Sequence, residues 1–166
     1  EAFVEYVGTD VIPRVCSTTQ KVAAKYYPNR SVTIHCTPSE DLLKDKAFMR
    51  RNQGRFDVVF FSPPYFKLEL YEGKNQSTKR YPEYEQWLEG YWDATMRLCA
   101  HVMTPDAKMG FIVSPYGDKK ELVNDMARTC SRYFRRLTTV PISNLNVNNT
   151  KHRPTGESLL VYKKKS

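Results

Sequence analysis

The sequence predicts an α/β fold in which helices separate the strands of a mostly parallel sheet. Short apolar runs alternate with longer stretches in which apolar residues recur at helical spacing. The run Phe56 to Phe61 is apolar on both faces, which is typical of a buried parallel strand. Strands separated by helices pair in parallel through right-handed crossovers, so we expect residues 1–166 to form a single domain.

The elements follow in order from the amino terminus. A strand is predicted at Val4 to Gly8 and a helix at Pro13 to Tyr26, where apolar residues have near-helical spacing. The other predicted elements are a strand at Ser31 to Cys36, a helix at Ser39 to Arg50 capped by Ser39, a strand at Phe56 to Phe61, a helix at Glu83 to Met103, a strand at Met109 to Val113, a helix at Lys119 to Tyr133, and strands at Leu137 to Ile142 and Ser158 to Tyr162. Irregular segments are expected at 66–82 and 143–156.

Composition and charge narrow the class of protein. The net charge of +8 suits a polyanionic partner, with a merely solvated basic surface as the alternative. No apolar run reaches membrane-spanning length and no signal-peptide pattern is present, so no membrane association is expected. The four cysteines are far apart, which argues against a metal site and for reduced thiols inside a cell, in cytoplasm or nucleoid, or in a virion.

The segment Ser62-Pro63-Pro64-Tyr65 directly follows the most apolar strand. Consecutive prolines cannot donate ladder hydrogen bonds, so the strand must end there, and they make the turn stiff. Ser62 and Tyr65 then project from the carboxyl end of a strand, where open α/β sheets bind ligands. A proline-terminated strand without chemistry is the alternative interpretation.

The run Asp57 to Tyr65 resembles the catalytic motif of S-adenosylmethionine-dependent amino-methyltransferases, (Asp/Asn/Ser)-Pro-Pro-(Tyr/Phe/Trp). The resemblance implies a Rossmann-like class I methyltransferase sheet, mostly parallel with an antiparallel strand near the end, and S-adenosyl-L-methionine as cofactor. It also implies methyl transfer to an exocyclic amino group of DNA, cytosine N4 or adenine N6. An RNA or protein substrate, and an inactive nucleic-acid-binding or structural subunit, are the alternatives.

The motif residues are suited to such catalysis. The Ser62 hydroxyl and the Pro63 carbonyl can accept the two N–H groups of the target amine and localise its lone pair. Pro64 keeps the turn rigid. Tyr65, helped by Phe66, is expected to stack on a base flipped out of the duplex.

Two further segments resemble the family's cofactor-binding positions. Asp10 stands where an acid holds the ribose hydroxyls, and capping of the following helix is its alternative role. Ser39, Glu40 and Asp41 are candidates for contact with the cofactor's adenine, although a plain helix cap explains them equally well.

Basic residues near the motif are candidates for nucleic-acid contact. Lys74, Lys79 and Arg80 lie in the polar segment after the motif, where a target-contacting loop is expected. Lys151 and Arg153 belong to a segment that we expect to contact the nucleic acid from the opposite side. A loop without contacts is the alternative for the first segment.

One family feature is absent from the sequence. The seven glycines never cluster, so there is no Gly-rich cofactor loop, and the chain begins at what resembles the family's second strand. The family's first strand lies between the second strand and the catalytic strand. We therefore expect a further polypeptide segment or chain to supply this strand and the loop. A rebuilt fold that has lost cofactor binding is the alternative.

Overall fold

The computed structural model describes residues 4–67, 73–114, 121–145 and 152–165, and contains six strands in two sheets. β1 (Glu5–Asp10) and β2 (Ser31–Cys36) form a parallel pair. The second sheet contains β3 (Phe56–Phe61), β4 (Met103–Val113), β5 (Phe134–Leu145) and β6 (His152–Lys164), in the spatial order β3-β4-β6-β5. β3 and β4 are parallel, whereas β6 is antiparallel to both β4 and β5. The predicted fold class, a mostly parallel sheet with antiparallel pairing near the end, is confirmed.

Helices connect most of these strands. In chain order they are α1 (Pro13–Tyr26), a 3₁₀ helix (Ser39–Lys44), α2 (Lys46–Asn52), α3 (Ser77–Arg80), α4 (Tyr84–Trp87), a π-helical segment (Leu88–Asp93), α5 (Ala94–Val102) and α6 (Leu122–Cys130). The predicted bounds of α1, β2 and β3 are confirmed. No helix of the described residues is long and apolar enough to cross a membrane.

The predicted helix from Ser39 to Arg50 is wrong in its middle and at its cap. Asp45 adopts extended geometry and its carboxylate accepts hydrogen bonds from the backbone N–H groups of Ala47 and Phe48, both at 2.9 Å. These bonds satisfy N–H groups that a helix end leaves open, so Asp45 starts a new helix. Ser39 caps nothing and instead hydrogen-bonds the Thr95 hydroxyl at 3.0 Å.

The predicted helix from Glu83 to Met103 is interrupted by the π-helical segment. Gly90 lies in that segment, and a Cβ atom there would overlap the ring of Tyr81. The wider π turn and the missing side chain together accommodate this ring. Met103 is the first residue of β4, which is longer than its predicted span.

The last two strands are also longer than predicted. Their antiparallel pairing continues to Leu145 opposite His152, into the segment expected to be a loop. Cross-strand hydrogen bonds order these polar residues, which single-strand patterns do not reveal. The described part of the last helix covers only Leu122–Cys130 of the span predicted at Lys119 to Tyr133, because the chain turns after Cys130 into β5.

The main core lies on one face of the four-stranded sheet. The Phe111 ring stacks on Tyr162 at 5.5 Å between centroids and lies 5.7 Å from Phe61. Trp87 and Trp92, from the helices that cover this face, are fully buried. Each large apolar side chain buried in this way contributes on the order of 1.5–3 kcal/mol to folding.

A second apolar cluster joins the two sheets. Its buried members Leu42, Phe48, Leu98 and Val102 come from the 3₁₀ helix, α2 and α5. Val7 of β1 and Val59 of β3 pack against this cluster. The two sheets therefore share one layer of helices, although no hydrogen-bond ladder joins β1 to β3 among the described residues.

Candidate functional site

The carboxyl ends of the parallel strands meet at one edge of the molecule. β1 ends at Asp10 opposite Cys36, the last residue of β2. At the other end, Arg55 just before β3 forms a 2.7 Å ion pair with Glu5, the first residue of β1. Since the starts of β1 and β3 lie together and their sides share a cluster, the two strands run in the same direction. The segments after β1, β2 and β3 therefore lie on the same edge, which is where such sheets bind ligands.

Three apolar side chains bury the Ser-Pro-Pro-Tyr turn and the residue after it against the core. Pro63 is fully buried, and Tyr65 and Phe66 are only 4% and 3% exposed. The Phe66 ring meets Tyr84 edge-on at 5.3 Å. Phe66, a candidate for base contact, is thus a core residue in this structure. Ser62 is the exposed member of the turn at the sheet edge.

Asp10 lies at the same edge and is half-buried. Its carboxylate accepts a 2.7 Å hydrogen bond from the backbone N–H of Ile12. Ile12 is the N-cap residue of α1, which has no side-chain cap. Asp10 therefore stabilises the turn after β1 rather than capping α1, and this bond fixes the direction of its carboxylate.

Arg80 connects the two segments predicted to hold cofactor and target. Its guanidinium forms ion pairs of 2.8 Å with Glu40 and 2.7 Å with Asp41. Burial raises the pKa of Glu40, whose side chain is 4% exposed. The Arg80 hydrogen bond lowers the pKa of Asp41. Arg80, which the sequence predicts to contact phosphate, is therefore paired with Glu40 and Asp41, which the sequence predicts to contact the cofactor.

Two residues that support this cluster were not found from the sequence. Thr95 of α5 hydrogen-bonds Ser39 at the start of the 3₁₀ helix. Tyr81 packs its ring beside the Arg80 guanidinium at 5.6 Å and against Gly90. A glycine within a helical pattern was the available signal, since it often marks a close approach. Nothing in the sequence pattern indicates Thr95.

The other candidate cations differ in their placement. Lys74, just before α3, and Lys79, within α3, are both exposed. Lys151 lies outside the described residues, and for Arg153 only the backbone is described, paired with Asn144. Because β5 and β6 continue past the last β4 partner at Ser158, their hairpin extends beyond the sheet at the carboxyl edge.

The basic carboxyl-terminal segment lies at the opposite edge. The Lys163 ammonium forms a 3.0 Å ion pair with Asp106. Lys164 donates a 3.3 Å hydrogen bond to the carbonyl of Met103, the first residue of β4. These lysines are therefore near the amino ends of the parallel strands, away from Ser62.

The four cysteines all lie in the described part of the chain. Within residues 4–67, 73–114, 121–145 and 152–165, no three His, Cys, Asp or Glu side chains are grouped as metal ligands. All four cysteines are free thiols. Burial and the neighbouring Cys36 raise the pKa of Cys16 to about 11.

Comparison with solved structures identifies the fold. The chain is similar to a TehB-like S-adenosylmethionine-dependent methyltransferase of Corynebacterium glutamicum, with a TM-score of 0.51 and 13% identity over 97% of this chain and 68% of that one. It is also similar to a Thermus thermophilus protein assigned as a DNA modification methylase, complexed with S-adenosyl-L-methionine. That match has a TM-score of 0.52 and 14% identity over 98% and 56% of the two chains.

A third similar structure is a Clostridium thermocellum protein assigned as an rRNA methylase. Its TM-score is 0.54 at 11% identity, over 98% of this chain and 73% of that one. Searches of the sequence against protein-family models and curated proteins find no match. The chain thus has the fold of S-adenosylmethionine-dependent methyltransferases and spans between 56 and 73% of the length of these three structures.

Proposed function

We propose that this chain carries the catalytic motif of an S-adenosylmethionine-dependent methyltransferase that acts on an exocyclic amino group of a DNA base, cytosine N4 or adenine N6. The observation that carries the proposal is the position of Ser62-Pro63-Pro64-Tyr65. In a methyltransferase fold, this turn follows β3 at the edge that also holds Asp10 and the segment 39–41. One edge then presents groups for both partners of a methyl transfer.

Each motif residue has a different role at the target amine. The exposed Ser62 hydroxyl and the Pro63 carbonyl accept its two N–H groups, which favours a pyramidal nitrogen with a localised lone pair. The two consecutive prolines restrict the backbone of the turn and so hold the Pro63 carbonyl in place, and the Pro63 side chain is fully buried. Such fixed acceptors act mostly in the transition state, where positive charge builds on the nitrogen. Tyr65 is the candidate for stacking on the base; because its side chain is 4% exposed and belongs to the main core, as does that of Phe66, stacking requires a rearrangement that uncovers one face of its ring.

The cofactor is assigned to the other end of the same edge. Asp10 is suited to accept hydrogen bonds from ribose hydroxyls, since a carboxylate has several acceptor positions and this one is already oriented. Asp41, whose pKa is lowered by Arg80, stays ionised and can accept from an adenine amino group. S-adenosyl-L-methionine supplies the methyl group.

DNA is the proposed partner on the target side. Lys74 and Lys79 are exposed in the segment that follows the turn, and Arg153 belongs to the β5–β6 pair that extends past the sheet at this edge, while Lys151 precedes β6 in the sequence. Cations on both sides can hold phosphates while a base is flipped. RNA is the second candidate, favoured by the similarity to a protein assigned as an rRNA methylase.

The test is methyl transfer from labelled S-adenosyl-L-methionine to DNA and RNA, with the chain combined with the further polypeptide segment that the resemblance implies. Products are identified as N4-methylcytosine, N6-methyladenine or another nucleoside. Ser62→Ala should lower turnover by at least tenfold with little change in DNA binding, because its acceptor acts on developing charge. Ser31→Ala is the matched control, since Ser31 begins β2 at the opposite edge.

Two results would overturn the proposal. The first is full activity of Ser62→Ala in the completed protein, which would leave the turn as a strand stop. The second is methylation of a protein or small molecule in place of a nucleic-acid base. Methylation of RNA alone would replace DNA by RNA as the target while keeping the assigned residues.

A further inference from the structure

Two of the four free cysteines are held beside the same residue, at the carboxyl ends of β1 and β2. Cys36 is the last residue of β2 and is paired with Asp10 across the parallel ladder. Neighbouring strands lie about 4.8 Å apart, so the ladder keeps Cys36 next to Asp10. The Thr9 hydroxyl donates a hydrogen bond to the Thr37 carbonyl, which continues the contact between the strands beyond Cys36. The position of Cys36 relative to β1 is therefore fixed.

Cys16 approaches Asp10 from the first turn of α1. Its Sγ atom donates a 3.4 Å hydrogen bond to the Asp10 carbonyl, and its backbone N–H donates a 3.0 Å hydrogen bond to the Ile12 carbonyl. The Cys16 thiol also makes a hydrogen-bonding contact with the thiol of Cys36. The fold thus brings together two sulfur atoms that belong to different elements, and Asp10 holds both of their residues in place.

The two thiols differ in their access to solvent. Cys36 is exposed, whereas Cys16 is only 7% exposed. Free cysteine is among the most frequently buried residue types, so packing alone does not explain an exposed thiol in contact with a buried one. Protein redox sites use an accessible thiol beside a second thiol, because the second sulfur converts the oxidised first one into a disulfide.

We propose that Cys36 and Cys16 form a reversible disulfide by exchange with a low-molecular-weight disulfide. The Cys36 thiolate attacks one sulfur of that molecule, which places a mixed disulfide on Cys36 and releases one thiolate. Cys16 then loses its proton and attacks the Cys36 sulfur, which forms the Cys16–Cys36 bond and releases the second thiolate. The two protons of the protein thiols go to the two released thiolates. Two protein thiols are oxidised and one small disulfide is reduced.

The environment of Cys16 suits the second of these steps. Burial is the largest cause of its raised pKa, and the neighbouring Cys36 adds to the increase through its hydrogen bond and its charge. Cys16 is therefore a poor first nucleophile, since the thiolate is the reactive form. A mixed disulfide on Cys36 carries no thiolate charge, so that part of the increase is lost and Cys16 deprotonates more readily. The order of the two steps follows from this difference.

The disulfide joins the first turn of α1 to the end of β2. It encloses the turn in which the Asp10 carboxylate accepts a hydrogen bond from the N–H of Ile12. A cross-link between two elements restricts the openings that separate them, so this turn should open less often in the oxidised chain. The inference is independent of methyl transfer, since it rests only on the two thiols and their contacts.

The test incubates the reduced chain with glutathione disulfide and maps the product by mass spectrometry after proteolysis without reduction. We expect one intramolecular Cys16–Cys36 disulfide, the loss of two of the four free thiols, and full reversal by dithiothreitol. The backbone amides from Asp10 to Cys16 should exchange at least about fivefold more slowly in the oxidised chain. The same treatment in urea should give a mixture of pairings, because the unfolded chain no longer holds these two thiols together.

Variants separate the roles of the two thiols. Cys16→Ser should stop at the mixed disulfide, with glutathione retained on the Cys36 sulfur, whereas Cys36→Ser should lose no thiol. Cys99→Ser is the matched control, since Cys99 is buried in the main core, and it should form the same disulfide as the parent.

The product of the parent chain decides the inference by itself, because mapping it needs no substitution. The inference is overturned if the parent loses no thiol, stops at the mixed disulfide, or forms disulfide-linked dimers instead. It is also overturned if a pairing other than Cys16–Cys36 prevails in the folded chain, or if the pairing formed in urea is equally selective.

Discussion

Replacing Arg80 by methionine tests the electrostatic connection between the two halves of the candidate site. The substitution keeps much of the aliphatic length but leaves the carboxylates of Glu40 and Asp41 without their guanidinium. Removing one partner of a buried ion pair costs about 3–5 kcal/mol. Asp41 and Arg80 are 31% and 21% exposed, so solvent screens part of the loss. We expect a decrease of about 2–3 kcal/mol in the free energy of unfolding near neutral pH.

The loss should depend on pH in a definite direction. Burial already raises the pKa of Glu40, and removal of the positive charge raises it further. The folded variant then binds a proton at a pH where the unfolded chain, with an ordinary pKa, does not. Stability of the variant therefore increases, relative to the parent, as the pH falls from neutrality toward the ordinary range of a carboxyl pKa. Below both pKa values the difference should be smallest.

Urea unfolding at several pH values measures this effect. Arg80→Met combined with Glu40→Gln should recover most of the loss, because a neutral amide needs no counter-charge. Arg132→Met is the control, since its 3.1 Å pair with Asp93 involves a 65% exposed arginine and should cost less than about 1 kcal/mol. A loss for Arg80→Met that is independent of pH, or no larger than for Arg132→Met, would refute the reasoning.

Three further predictions follow from burial and charge. Cys36 is exposed and should react first with a thiol reagent. Burial raises the pKa of Cys99 to about 12, so Cys99 should react only on unfolding. Equal reaction rates of the two thiols would contradict the packing. Gly90→Ala should reduce the free energy of unfolding by about 1–3 kcal/mol, because its methyl group meets the Tyr81 ring, and unchanged urea midpoints would count against that contact. DNA binding, measured by fluorescence anisotropy, should weaken steeply with salt and equally for all sequences in Lys79→Ala, while binding insensitive to salt would exclude phosphate contact.

The sequence by itself determined the fold class and several element bounds. Alternation of strands and helices predicted the mostly parallel sheet, and α1, β2 and β3 have the predicted limits. These segments carry strong local signals: apolar periodicity, a proline at the start of a helix and prolines at the end of a strand.

Tertiary structure alone decided which candidate residues act together. Arg80 is 39 residues from Asp41 in sequence, and only the fold brings their side chains to 2.7 Å. Phe66 has the residue type of a base contact, but its packing against Tyr84 makes it part of the core. The fold likewise brings the Tyr81 ring against Gly90 of the π-helical segment. Local patterns cannot specify such contacts, because each one depends on where distant segments meet and on which side chains that meeting removes from water.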